Sequence, residues 1–171
     1  MTYRISRRTA ISIAGVLAVG SLGLTGCGSS DAAESDGPVT VAALDGQQIS
    51  LPAAGKPTAV FFFSVGCGEC VNGVRFLGEA VTIADENGNE ASFLAVDMDP
   101  RESEETIEGF MEYVGAEHVP AAIDEGAAVS QRFKVAALST LIVVDADGQV
   151  TFRATDPDAE TITAELAKAG A

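Results

Sequence analysis

From residue 39 onward the chain alternates between two hydrophobic periods. The run Ala59-Val60-Phe61-Phe62-Phe63 is short, continuous and rich in aromatic and β-branched residues, as expected of a strand covered on both faces. Val71, Val74, Leu77, Val81 and Ala84 then recur at the three-to-four spacing of one helical stripe, which Asn87-Gly88 ends. Residues 91–97, Ala-Ser-Phe-Leu-Ala-Val-Asp, form a second buried run, so strand, helix and strand make a right-handed parallel βαβ unit. Ile107, Phe110, Met111 and Val114 mark the apolar face of a second helix with Ser103 as its N-cap. A short strand is predicted over 119–123 and a short helix over 126–133. Thr140-Leu141-Ile142-Val143-Val144, the turn Asp147-Gly148 and Val150-Thr151-Phe152-Arg153 read as an antiparallel hairpin. A last helix starts near Asp156-Pro157 and buries Ile162 and Leu166. Ahead of all this, Val39-Thr40-Val41 and Gln48-Ile49-Ser50-Leu51 flank Asp45-Gly46, a turn dipeptide that predicts another hairpin. The sum is an α/β chain in three layers, with helices on both faces of a central mixed sheet and a β-hairpin in front of it.

Chemistry enters where the first buried strand meets its helix, at Ser64-Val65-Gly66-Cys67-Gly68-Glu69-Cys70. The pattern puts both cysteines on the first turn of the helix. Three residues apart they share a face, and the two-residue spacer Gly68-Glu69 can close into a disulfide on oxidation. Free N–H groups at a helix start favour an anion, which predicts that Cys67 holds a thiolate more readily than a free cysteine.

These features together resemble the thioredoxin fold, and most closely the membrane-anchored TlpA-like disulfide reductases that work outside the cytoplasmic membrane. The resemblance covers residues 39–171 and rests on the element order, the two cysteines at the strand-to-helix turn and the late hairpin. It implies that Cys67 and Cys70 are the redox pair, with Gly66, Gly68, Glu69 and Ser139 in supporting positions.

The first residues have a different character. Arg4, Arg7 and Arg8 precede an apolar stretch from Ala10 to Leu24 that is shorter than the roughly 20 residues of a membrane-spanning helix. With Leu24-Thr25-Gly26-Cys27 after it, residues 1–26 read as an export signal. Leu-x-Gly-Cys resembles the lipobox of bacterial lipoproteins, which implies lipidation of Cys27 and a lipid anchor on the extracytoplasmic side of the cell membrane. Three cysteines then divide into one lipid attachment and one redox pair. Ser6-Arg7-Arg8-Thr9-Ala10-Ile11 resembles a twin-arginine signal, with Ala10 at a position that usually carries a larger apolar residue. Residues 28–38 have no large apolar side chain, so the stretch from Cys27 is expected to be a flexible tether. The formal charge is −15, and without the three N-terminal arginines it is more negative still. Such a surface repels phosphate backbones and argues against a nucleic-acid partner.

Several positions depart from the family. Ser139 stands where these proteins carry a cis-proline that faces the cysteine pair, so the Leu138–Ser139 bond is expected to be trans, because a cis bond to a non-proline costs about 3–4 kcal/mol. Ser139 is expected still to face the cysteines, with a hydroxyl and an N–H that proline lacks. Gly66 replaces the usual aromatic residue before the first cysteine, and Glu69 the proline often found before the second. The buried carboxylate of thioredoxins corresponds to Phe61, and the glutamate that some TlpA-like reductases place three residues after the second cysteine corresponds to Gly73. Both proton acceptors for Cys70 are thus replaced, which leaves Glu69 as the nearest ionisable candidate, and its charge beside Cys67 opposes the helix end. Glu102, Glu104 and Glu105 read as a solvated acidic crowd at the start of the second helix.

The leading expectation is an exported, lipid-anchored thiol-disulfide oxidoreductase, a reductase of envelope proteins, needing no cofactor and fed by a membrane electron donor. One alternative is a metal-binding or metallochaperone lipoprotein. Against a zinc site, three cysteines and one histidine are few when Cys27 is lipidated and a site takes about four ligands; His118 reads as a loop histidine. Loss of the proline at Ser139 would leave room for a cluster shared between two chains. The other alternative is a redox-inert binding lipoprotein with a structural disulfide.

Overall fold

The computed structural model describes residues 37–171. The export signal, Cys27 and most of the expected tether lie outside the described residues. Seven strands and four helices follow the predicted order: β1 (Val39–Ala42), β2 (Gln48–Leu51), β3 (Thr58–Phe63), α1 (Cys70–Asn87), β4 (Ser92–Asp97), α2 (Glu104–Val114), β5 (Ala121–Ile123), α3 (Ala128–Arg132), β6 (Thr140–Val144), β7 (Val150–Thr155) and α4 (Ala159–Lys168), with a 3-10 turn at Glu125–Ala127 before α3. Among these described residues no helix is long and apolar enough to cross a membrane.

The five-stranded sheet runs β5-β4-β3-β6-β7, and β1 and β2 form a separate two-stranded hairpin. β3 lies parallel to β4 and antiparallel to β6, so the sheet is mixed and β3 is its centre. Alternation along β3 explains its unbroken apolar sequence. Ala59, Phe61 and Phe63 point into one core with Val74 and Leu77 of α1, Ile107 and Phe110 of α2, and Ile162 and Leu166 of α4. Val60 and Phe62 point into the other, with Val129 and Phe133 around α3 and Val41 and Leu51 of the hairpin. All three phenylalanines are completely buried, and the ring of Phe63 stacks on Phe110 at 5.4 Å between centroids. Burial of each contributes about 1.5–3 kcal/mol at most, so β3 is anchored hard just before it delivers the chain to the cysteines. The hairpin docks on the far edge through Leu44 N–H, which donates to the Ala121 carbonyl at 2.8 Å.

Helix ends follow their local chemistry. Gly88 closes α1 in the left-handed conformation at φ 68°, and the Asn89 N–H reaches back to the Ala84 carbonyl. Ser103 caps α2, its hydroxyl oxygen accepting from Thr106 N–H. At α4 the expected start is corrected: Asp158, not Pro157, opens the helix, and its carboxylate accepts from Thr161 N–H at 2.9 Å. Asp156 cannot belong to the helix because its backbone is left-handed, at φ 48°.

Candidate active site

Both cysteines sit where β3 ends and α1 begins. The connection is two successive tight turns: Cys67 N–H donates to the Ser64 carbonyl and Cys70 N–H to the Cys67 carbonyl, each at 3.0 Å. Helical hydrogen bonding starts only at Cys70. Cys67 therefore precedes the helix rather than lying on its first turn, because its carbonyl already closes the second turn. Cys67 and Cys70 are joined in a disulfide with their Cα atoms 5.3 Å apart. Cys70 is fully buried among the residues of the α1 core, whereas Cys67 is half-buried and Gly66, Gly68 and Glu69 around it are exposed. Glu69 occupies the N-cap position of α1 without any capping bond from its side chain. In the open its charge is screened by solvent, which limits what it can do to either sulfur.

Phe61 and Gly73, far apart in sequence, meet behind the pair. A Cβ on Gly73 would stand 2.1 Å from the Cζ of Phe61, so the ring fills the volume a side chain on that turn of α1 would need. Neither position holds a carboxylate, and the ring leaves no room for one at residue 73.

Besides Glu69, two carboxylates reach this region from β4 and the loop after it. Glu102, expected among the solvated acids of α2, lies ahead of the Ser103 cap and reaches across to the cysteine turn. It accepts from the Ser64 hydroxyl at 2.9 Å, from Val65 N–H at 2.8 Å and from Gly66 N–H at 3.4 Å. Asp97, the last residue of β4, is fully buried; one of its oxygens accepts from Asp99 N–H at 3.0 Å and the other has no hydrogen-bond partner. Burial pushes its pKa up to about 7, and the neighbouring Glu102 and Asp99 charges add to the effect. Asp99 itself is held well below the usual carboxylate range by hydrogen bonds from the Arg101 side chain and backbone. The sequence offers one signal for Asp97, a carboxylate at the end of an otherwise apolar strand. It offers none for Glu102, whose contacts span more than 35 residues.

Ser139 follows the expected trans bond, since the one cis peptide among the described residues is Leu51–Pro52. Its polar groups, however, are not presented to the outside. The Ser139 N–H donates to the Phe62 carbonyl at 2.8 Å, its carbonyl accepts from Asp156 N–H at 3.1 Å, and its hydroxyl donates to the Asp156 carboxylate. Ser139 is 3% exposed and left-handed at φ 60°, facing another left-handed residue, Asp156. The hydroxyl and N–H that Ser139 has and proline lacks are thus both taken, the N–H by β3 and the hydroxyl by the β7–α4 connection. What the loop does expose is Leu138, which borders an open groove of about 420 Å³ with Ser64, Met98, Asp99, Pro100 and Arg101.

His118 lies away from this group, its Nε2 hydrogen-bonded at 3.0 Å to the Gly78 carbonyl of α1. Among the described residues no set of three or more His, Cys, Asp or Glu side chains is grouped to hold a metal ion.

Comparison with known proteins agrees with this geometry. The chain is 55% identical over 146 residues, 85% of its length and 75% of the relative's, to the mercury resistance operon ORF3 protein of Streptomyces lividans. Its fold matches StoA from Bacillus subtilis with a TM-score of 0.66 at 14% identity, covering 76% of this chain and 96% of that one. It also matches the exposed lipoprotein thioredoxin of Streptococcus pneumoniae with a TM-score of 0.64 at 18% identity, covering 77% and 99%. Residues 31–170 match the Redoxin family, and the chain, with its thioredoxin fold and its Cys67–Cys70 pair, belongs to that family.

Proposed function

We propose that the protein is an extracytoplasmic thiol-disulfide oxidoreductase, a reductase of envelope proteins held at the membrane by a lipid on Cys27. One observation carries the reading: a half-buried Cys67 bridged to a fully buried Cys70 at the start of α1. In the reducing direction the Cys67 thiolate attacks a substrate disulfide and forms a mixed disulfide, releasing one substrate sulfur, which takes up a proton. Cys70 then gives up its proton and attacks Cys67 Sγ; the Cys67–Cys70 bond forms, the mixed disulfide breaks and the second substrate sulfur leaves as a thiol. Two electrons pass from the protein to the substrate, and a membrane dithiol donor restores the pair. Only the more accessible sulfur can be first in this order. The groove beside Leu138 is the surface on which a substrate chain lies. The likeness to an exposed lipoprotein thioredoxin supports the location.

The Streptomyces relative favours a second reading, in which the reduced pair captures a thiophilic ion such as mercury, a soft metal suited to thiolate ligands. Turnover separates the two. With a protein disulfide and an excess of dithiol donor, the reductase cycles many times and both Cys67→Ser and Cys70→Ser stop it; a metal-capturing or structural pair gives no multiple turnover, and that result would remove the proposal.

A further inference from the structure

β3 and β4 run side by side with Phe63 opposite Asp97. Alternation along β4 places Asp97 on the face of Ala95, the same face whose core holds Phe61, Phe63 and Cys70. A buried carboxyl thus stands at the end of the sheet from which the cysteine turn springs. Burying it as an anion with an unpartnered oxygen is costly, and a proton removes the charge and makes the group a donor. The carboxylate beside it is Glu102, held at the residues that directly follow Phe63, the strand partner of Asp97. Glu102 in turn receives the Ser64 hydroxyl and the N–H groups of Val65 and Gly66, the residues that lead into Cys67. Every other partner of Glu102 is a donor, so Asp97 is the member of the pair that carries the proton.

We propose that Asp97 and Glu102 are positioning residues acting as one proton-sharing carboxyl pair, which clamps the turn ahead of Cys67 and sets the negative charge that a Cys67 thiolate meets. This rests on the reading of Cys67 as the attacking thiol. The other charged groups around the pair are already committed or exposed. Asp99 is bound to Arg101, and the Asp124 carboxylate is taken by Val129 and Ser130 N–H. Glu104 and Glu105 at the start of α2 and Glu69 at the start of α1 face solvent. With Asp97 protonated the pair carries one negative charge, and with Asp97 ionised it carries two, so the Cys67 thiolate is suppressed more as pH rises. When a dithiol donor reduces the Cys67–Cys70 bond, its two electrons pass to the sulfurs and its two thiol protons are released. Cys70 takes one as a thiol, and the other goes to Cys67 or to the carboxyl pair, according to pH.

The test is the rate at which iodoacetamide alkylates Cys67 in the reduced full chain, the modified residue identified by mass spectrometry, from about pH 5 to about pH 9. The wild-type profile is expected to show a step near neutrality besides the titration of the thiol itself. Asp97→Asn, which keeps a donor for Glu102, loses that step and reacts at least about threefold faster near pH 8 while matching wild type near pH 5. Glu102→Gln removes a charge that raises the Asp97 pKa, so it moves the step to lower pH and remains informative if the core substitution does not fold. A wild-type profile with one thiol titration only, or folded variants whose profiles coincide with a two-step wild type, overturns the proposal. Alkylation requires a free thiol and no turnover, so failure here is distinct from failure of the oxidoreductase reading.

Discussion

Because a Cβ on Gly73 would come within 2.1 Å of the Phe61 ring, and Phe61 is held rigidly in the central strand, the smallest side chain at residue 73 forces the ring or the helix to move. Gly73→Ala is expected to destabilise the protein by about 1–3 kcal/mol, measured by denaturant unfolding, despite the better helix propensity of alanine. Asp97 is the other residue whose environment outweighs its type. Its folded pKa of about 7 lies above the ordinary 3.8, so between those values the native state binds a proton that the unfolded chain has lost. Stability contributed by Asp97 is therefore fully present below the unfolded value and declines as pH rises through the folded one. Asp97→Asn, which does not titrate, should gain stability relative to wild type as pH goes from about 4 to about 7, with no further gain above. A difference independent of pH would contradict the buried, protonated state. The family resemblance exposed the replacement of carboxylates at Phe61 and Gly73, since each position lies at a fixed offset from the cysteines. That Phe61 and Gly73 touch was not legible, because contact between a strand and the helix after it depends on how the helix lies across the sheet.

At the level of elements, β3, the cysteine turn and α1 were legible because their signals are local: an apolar run, a closely spaced cysteine pair and a helical stripe closed by Asn87-Gly88. The position of Cys67 ahead of α1 was not, because turn and helix conformations at 67–69 differ by single hydrogen bonds that the residue pattern does not encode. Ser139 illustrates a stronger limit. Its trans bond followed from peptide chemistry, but its partners, Phe62 and Asp156, come from two other segments of the chain. The loop into β6 is consequently fastened from both sides, and restoring the family residue does not restore the family loop. Ser139→Pro removes the N–H bonded to the Phe62 carbonyl and imposes a φ near −65° on a residue at 60°. It is expected to cost about 3 kcal/mol or more, read as a lowered melting temperature, with Ser139→Ala costing only about 1 kcal/mol for its hydroxyl bond. Equal or higher stability of the proline variant would mean that the loop can adopt a different backbone. Glu102 shows the same limit at the site: spacing grouped it with Glu104 and Glu105, and only the sheet topology brings the β4–α2 loop against the cysteine turn.

For the molecule as a whole, the sheet places the cysteine turn and the groups proposed to act with it at one end. β3 supplies the cysteine turn, β4 supplies Asp97 and the Glu102 loop, and the segment entering β6 supplies Leu138 beside them. Layer order, the leading hairpin and the mixed sheet were legible from strand and helix periods, since few topologies join such elements without crossed connections. The division of labour proposed for the sulfurs rests on burial, with Cys70 sealed in the core and Cys67 half in reach of solvent. The most direct test of that division is trapping of the mixed disulfide. Reduced Cys70→Ser and reduced Cys67→Ser proteins are each mixed with a disulfide-bonded protein substrate, and covalent adducts are counted by non-reducing electrophoresis and located by mass spectrometry. Cys70→Ser is predicted to accumulate a stable adduct through Cys67, while Cys67→Ser, whose remaining sulfur is buried, forms little. Adducts formed equally by both variants, or by Cys67→Ser alone, with both proteins folded, would contradict the account.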